Sequence, residues 1–266
     1  MLVNMKDGGI KISGLSLEID GKRILSDISF DVAPGEFFCV IGRNGAGKST
    51  LLKCIAGITG GYGGEINICG RRASGIPARD RSRLVAYVPQ GSPGDVPYTV
   101  RDFLEMSRYP WHGVSSEADD AREIAEAMDM TEIAAFAGRR ISSLSGGERQ
   151  KVMIASAIAQ RTSAILMDEP TTYLDYAHQM EAMDMMSGVN RLRGVSMIIV
   201  THDINLAAEL SGTVAAMSEG RLVWAGPPSG LFEEARLKEI FGVPFRSYGT
   251  DTPGGRRILA PERPVL

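Results

Sequence analysis

Apolar residues in the first third of the chain come in short bursts divided by turn residues. Ile10 to Ile19 alternates in part, Asp20-Gly21 is a turn signal, and Ile24 to Val32 is a second strand-like stretch. After Pro34-Gly35, Phe37 to Ile41 is apolar without a break, which predicts a strand buried on both faces of a parallel sheet. A helix is expected from about Ser49 to Ala56, a glycine-rich loop from Thr59 to Gly64, and another strand from Glu65 to Cys69. In the stretch Ser115 to Ala137, Ala121, Ile124, Ala125 and Met128 fall at i, i+3, i+4 and i+7, the spacing of an amphipathic helix. That stretch holds seven acids against one base, Arg122, so its outer face is expected to be acidic, solvated and unsuited to phosphate backbones. Alternation of strand and helix then returns. Ala164 to Met167 and Met197 to Val200 read as short buried strands, and Gln179 to Leu192 between them as a helix. Its methionines, Met180, Met183, Met185 and Met186, read as core filler. Val214 to Met217 and Leu222 to Ala225 suit a hairpin around Glu219-Gly220. From Gly249 onward, Pro253, Gly254, Gly255, Pro261 and Pro264 predict a loosely attached extension. Within it, Arg256 to Pro261 admits a strand, a docking segment or a disordered end.

Composition agrees with a folded α/β chain. Of 266 residues, 44% are hydrophobic and 23% charged, which excludes disorder for most of the length. The net charge of -3 excludes a large basic nucleic-acid surface. No apolar run nears the ~18 residues of a membrane span. Met1 to Ile10 carries Lys6, Asp7 and two glycines where a secretory signal would have an apolar stretch. Cys39, Cys54 and Cys69 are odd in number and form no C-x-x-C pair, so neither a disulfide framework nor a zinc site is expected, and a reducing compartment is.

Two stretches carry chemistry by themselves. Gly42-Arg43-Asn44-Gly45-Ala46-Gly47-Lys48-Ser49 fits G-x-x-x-x-G-K-[ST] between an expected strand and an expected helix. Glycines let successive N–H groups turn inward around phosphates, and the helix N-terminus adds partial positive charge. Lys48 is expected to reach the β- and γ-phosphates, and Ser49 to offer its hydroxyl to Mg²⁺. The second stretch, Ala164 to Glu169, ends a buried strand in two acids. At the carboxyl edge of a parallel sheet these lie beside the phosphate loop. Asp168 is expected to hold the Mg²⁺ hydration shell. Glu169 is expected to polarise a water for attack on the γ-phosphate.

A third stretch decides the family. Leu144-Ser145-Gly146-Gly147-Glu148-Arg149-Gln150 precedes a helical run from Lys151 to Gln160, and Ser145 with Glu148 makes an S-x-x-E capping box. Two glycines at a helix start weaken it but open its N–H groups to an anion. Here the sequence resembles the ATP-binding cassette (ABC) ATPases. LSGGERQ matches their signature motif, GRNGAGKST, which ends in Thr50, their Walker A, and ILMDE their Walker B. Gln90 fits the Q-loop glutamine, Leu174-Asp175 the D-loop, and His202 the switch histidine, all in the family's order over roughly residues 10 to 245. The resemblance implies a P-loop α/β core with an N-terminal antiparallel β subdomain and an inserted helical subdomain over about 92–155. The cassette would span 10–245 and a C-terminal extension 246–266. It implies two copies paired head to tail, each ATP lying between the P-loop of one chain and Ser145, Gly146 and Gly147 of the other. It makes Glu169 the general base, His202 the group that steadies the γ-phosphate and attacking water, and Gln90 a link from Mg²⁺ to a membrane partner. One departure stands at Ile19, where many members carry an aromatic residue that stacks on adenine. A weaker aliphatic contact, a high KM for ATP and some use of GTP are expected from it.

Several stretches narrow the resemblance to the ATPases of importers for iron–siderophore complexes, haem and vitamin B12. These are Thr99 to Asp102 with Arg108-Tyr109-Pro110, Glu169 to Asp175 running into His178-Gln179, Thr201 to Asn205, and Gly220 to Gly226. The group implies a permease dimer seated around Val96 to Pro110. It also implies an extracytoplasmic binding protein reached indirectly, and a peripheral position on the cytoplasmic face of the inner membrane. The ATPase of another importer or of an exporter is the second reading. A chromosome-maintenance ATPase would insert a long coiled coil between Lys48 and Leu144, which stand only 96 positions apart. A cassette translation factor would need two cassettes in one chain.

Overall fold

The computed structural model describes residues 9–91, 96–172, 174–249 and 257–262. The chain opens with β1 (Ile10–Ile19), β2 (Lys22–Val32), β3 (Phe37–Gly42), α1 (Lys48–Ala56), β4 (Gly63–Ile68), β5 (Arg71–Arg72), α2 (Ala78–Arg81) and β6 (Val85–Val88). A helical stretch follows with α3 (Val100–Ser107), α4 (Glu117–Met130) and α5 (Gly146–Ala159). The rest is β7 (Ala164–Asp168), α6 (Tyr176–Arg193), β8 (Ser196–Thr201), α7 (Ile204–Leu210), β9 (Thr213–Ser218), β10 (Arg221–Gly226), α8 (Glu234–Phe241), β11 (Phe245–Gly249) and β12 (Arg257–Pro261).

Six strands form the central sheet in the order β10-β9-β3-β8-β7-β6, parallel except for the β10 edge. Every residue of β3 is buried, as the unbroken apolar run requires. Its alternate side chains serve two cores. Phe37, Cys39 and Ile41 join residues of α3 to α7 on one face, while Phe38 and Val40 join α1 and the second sheet on the other. That second sheet is antiparallel, in the order β2-β1-β4-β5, and the rings of Phe30 and Phe38 stack across the junction at 5.0 Å. Burial pushes the Cys39 thiol up to about 12 and the Cys54 thiol to about 11, so both are inert packing groups, and neither is disulfide-bonded.

Two expectations fail on α4. The helix ends at Met130, where the Thr131 hydroxyl donates to Ala127 O at 2.7 Å, and it does not run on toward Ala137. Its inward face is also turned. Glu123, Ile124, Ala127 and Met128 are buried, while Ala121 and Ala125 are exposed. The reason is electrostatic. Glu123 accepts from Arg161 of the α5–β7 turn and from Arg193 at the end of α6, at 3.1 and 2.9 Å, so one acid of the supposed solvated face is a buried clamp. Of the α6 methionines, Met183 and Met186 are core residues, but Met180 is largely exposed. The same packing buries Arg108, which donates to Asp120 at 2.8 Å and to Ala159 O at 2.7 Å. The glycine-rich loop expected through Gly64 is shorter, because β4 already begins at Gly63.

The tail is anchored rather than loose where it is described. β12 pairs antiparallel with β11, and Leu259 is buried in the core. The Asn205 amide of α7 grips that residue twice, receiving its N–H at 2.8 Å and donating to its carbonyl at 3.0 Å. Such a two-way grip satisfies both backbone groups of one strand residue. No helix among the described residues is long and apolar enough to cross a membrane.

Candidate functional site

Parallel strands present all their carboxyl ends at one edge, and chemistry gathers there. β3 ends at Gly42 and opens into the phosphate loop, β8 ends at Thr201 before His202, β7 ends at Asp168 before Glu169, and β6 ends just before Gln90. Because β3, β8, β7 and β6 are neighbours in that order, residues far apart in sequence become adjacent. They line one cavity of about 980 Å³. Gly42, Arg43, Asn44, Gly45, Gly47, Lys48, Ser49, Thr50, Gln90, Glu169 and His202 all border it.

Lys48 is buried, with its ammonium donating to Gly42 O at 2.8 Å and Arg43 O at 3.0 Å. Burial holds its pKa below the ordinary lysine value, against the opposing pull of Glu169 and Asp168. The loop that holds it has positive φ at Gly42 (149°), Gly45 (81°) and Gly47 (94°). A Cβ at Gly42 would meet Met217 O at 2.2 Å, so glycine is obligatory there for space as well as for dihedral angle. Gly47 is also the residue before α1, with no side chain to cap it, so the first N–H groups of that helix are left for a ligand. Ala46 is buried beneath the loop.

The Ser49 hydroxyl donates to Asp168 Oδ1 at 2.9 Å, which pairs two hard oxygen ligands. Among the described residues no group of three or more His, Cys, Asp or Glu could form a metal cage. A pair of hard oxygen ligands beside a phosphate loop suits Mg²⁺, which keeps several waters and draws other ligands from phosphates. The site therefore fits a nucleoside triphosphate with Mg²⁺. Desolvation raises the Asp168 pKa, partly offset by the bonds from Ser49 and Tyr87. Glu169 stands in the left-handed region at φ 49°, its own N–H donating to Val200 O at 2.9 Å. Its Oε2 lies 3.0 Å from His202 Nδ1 and accepts from the Thr172 hydroxyl at 2.8 Å and from Gln90 at 3.4 Å. The carboxylate is thus aimed at the cavity with its orientation fixed by three neighbours.

Ser145, Gly146 and Gly147 do not border this cavity. They start α5, where the expected capping box is complete: Ser145 Oγ accepts from the Glu148 N–H, and Glu148 accepts from the Ser145 N–H. Arg139 braces Glu148 at 3.0 Å. Sequence reasoning missed three neighbours. Tyr87 donates to Asp168 Oδ2 at 3.3 Å, Thr172 holds Glu169, and the His178 ring lies where a Cβ on Gly147 would fall, 2.8 Å from His178 Cδ2. Tyr87 stood three residues before Gln90 and Thr172 three after Glu169, so proximity to a motif was the available signal. No sequence spacing connects His178 to Gly147.

Residues 25–172 match the family model described as ABC transporter. The chain is 35% identical to the hemin import ATP-binding protein of Streptomyces coelicolor over 94% of its own length and 89% of that protein's. It is 34% identical to the iron(3+)-hydroxamate import ATP-binding protein of Bacillus subtilis, with 83% and 82% covered. A solved chain from a metal-chelate type ABC transporter in an inward-facing conformation superposes with a TM-score of 0.83, covering 97% of this chain and 98% of that one. At 23% identity that likeness speaks for the fold.

Proposed function

The chain belongs to the ABC transporter ATP-binding family, and from that premise we propose that it is the ATP-hydrolysing subunit of an importer for a metal chelate such as an iron–siderophore complex or haem. The observation that carries the reading is the meeting of Lys48, the Ser49–Asp168 pair and the Glu169–His202 pair at one sheet edge. Relatives that import hemin and iron(3+)-hydroxamate support the substrate class. In this reading the choice among chelates belongs to a partner permease and binding protein.

In this reading the loop from Gly42 to Thr50 wraps the triphosphate, and Lys48 neutralises its terminal charge. Ser49, Asp168 and Gln90 are the residues that would hold Mg²⁺. When bound, such an ion would supply charge neutralisation to the phosphates. Glu169 takes a proton from the attacking water as the bond to the γ-phosphorus forms and the β–γ bridge breaks. His202 orients Glu169 and that water. Phosphoryl transfer needs mostly positioning and charge compensation, which is what fixed carboxylate geometry supplies. That Ser145, Gly146 and Gly147 do not line their own chain's cavity supports their use in a second copy's site.

Glu169→Gln keeps the shape of the site and removes the base. It should bind ATP with unchanged affinity and hydrolyse it at least ~100-fold more slowly. Tagged and recovered from native membranes with ATP and Mg²⁺, it should bring down a polytopic permease. Unimpaired phosphate release would refute the catalytic assignment, and recovery of soluble partners alone would refute the transport role.

A further inference from the structure

Beyond the phosphate loop, the carboxylates and their polar neighbours, the nucleotide cavity is bordered by Lys22, Ile24 and Phe241. Phe241 is the one Phe, Tyr or Trp among its described lining residues. It comes from the last position of α8, almost two hundred residues after the loop it faces. Ile19, the residue from which a base contact was expected, is 43% exposed and does not border the cavity.

Three features hold the ring in place. Gly242 closes α8 in the left-handed region at φ 73°, its N–H donating to Lys238 O at 2.8 Å. A Cβ on Gly242 would lie 2.9 Å from Arg43 Nη1, so the end of α8 is packed against a side chain of the phosphate loop itself. Behind Phe241, the Phe245 ring lies 5.3 Å away at a tilt of 55°. Phe245 is buried and opens β11, which β12 pairs along its length. A triphosphate seated in the loop leaves a flat, largely apolar base to be covered. A half-buried ring braced from behind loses little freedom on covering it.

We propose that Phe241 is the base platform of this cassette, the nucleobase lying against its ring beside Ile24. The proposal rests on the nucleotide reading above and assigns the subsite that reading leaves open. Every base has a π-face, so such a platform adds affinity without choosing adenine over guanine. The C-terminal strand pair thereby gains a task, which is to back the platform.

The test is equilibrium binding to the full-length chain of ATP, GTP and inorganic tripolyphosphate, each with Mg²⁺. Phe241→Leu keeps apolar packing against Phe245 and should keep the melting temperature of the unsubstituted chain. It should weaken ATP and GTP alike, by about fivefold or more, and leave tripolyphosphate within about twofold. Phe241→Trp should restore nucleotide affinity, and its emission should respond to ATP but not to tripolyphosphate, with the unsubstituted chain as background for Trp111 and Trp224. Unchanged ATP affinity in Phe241→Leu, or equal loss for ATP and tripolyphosphate, would overturn the proposal. Failure of the unsubstituted chain to bind tripolyphosphate would strike the nucleotide reading itself.

Discussion

Asp168 is kept where an ionised carboxylate is disfavoured, 2% exposed at the end of a fully buried strand. Its raised pKa means that the folded chain holds the proton more tightly than the unfolded chain does. The charged form therefore lowers stability above the ordinary carboxylate range, and the penalty is relieved as pH falls toward that range. Asp168→Asn removes the charge and keeps one oxygen acceptor for Ser49, while the Tyr87 hydroxyl would turn to accept from the new amide N–H. It should raise unfolding stability at pH 7 by on the order of 1 kcal/mol and abolish Mg²⁺-dependent hydrolysis. The stability gain, read by urea unfolding, should shrink as pH is lowered. A gain independent of pH would show that desolvation of the charge is not the cause. Glu169 is a different case at the same scale. Its left-handed backbone and triple side-chain contact are local strain and order placed where the reaction is proposed to occur.

The helices answer mostly to packing partners. Legibility was high where one residue type decides an end. Ser145 and Glu148 cap α5 as their spacing predicts, and Thr99 with Asp102 caps α3 in the same way. It was low on α4, where apolar spacing alone pointed to Ala121 and Ala125 and packing chose Glu123 and Ala127. A carboxylate is an acceptable core residue only when cations come to it, and Arg161 and Arg193 arrive from other elements. Glu123→Ala strands those cations and should cost about 3 kcal/mol in chemical denaturation. Glu126→Ala, which loses an exposed contact with Arg193, should cost under about 1 kcal/mol. Similar losses for the two would show that Glu123 is not the clamp.

On the scale of the whole molecule, the nucleotide-sized cavity and the start of α5 do not meet. The cavity carries the phosphate loop and Glu169, while the start of α5 presents its glycines elsewhere. Gly146 has open space around its Cα, whereas Gly147 is closed in by His178 of its own chain. Under the proposed function, two chains in head-to-tail register would together make one complete site. Lys48→Ala and Ser145→Arg should each abolish phosphate release alone. A mixture of the two should regain activity, because mixed pairs keep one site free of both lesions. Absence of regain, with both variants folded by circular dichroism, would overturn the shared-site arrangement.

By itself the sequence determined what depends on neighbours within a few residues. The β3 run, the glycine loop opening α1, the acid pair ending β7 and the α5 cap follow from periodicity, backbone freedom and local hydrogen bonding. Order and spacing of those motifs also determined the family, since a chain that matches Walker A, signature and Walker B in turn matches few alternatives. Tertiary structure decided what depends on strand order and on charges meeting across elements. It set Tyr87 against Asp168, carried Phe241 to the phosphate loop, buried Glu123 between two arginines and clipped Leu259 to Asn205. None of these pairs has a spacing to read, because each arises from elements brought together by burial of two shared cores rather than by the local chain.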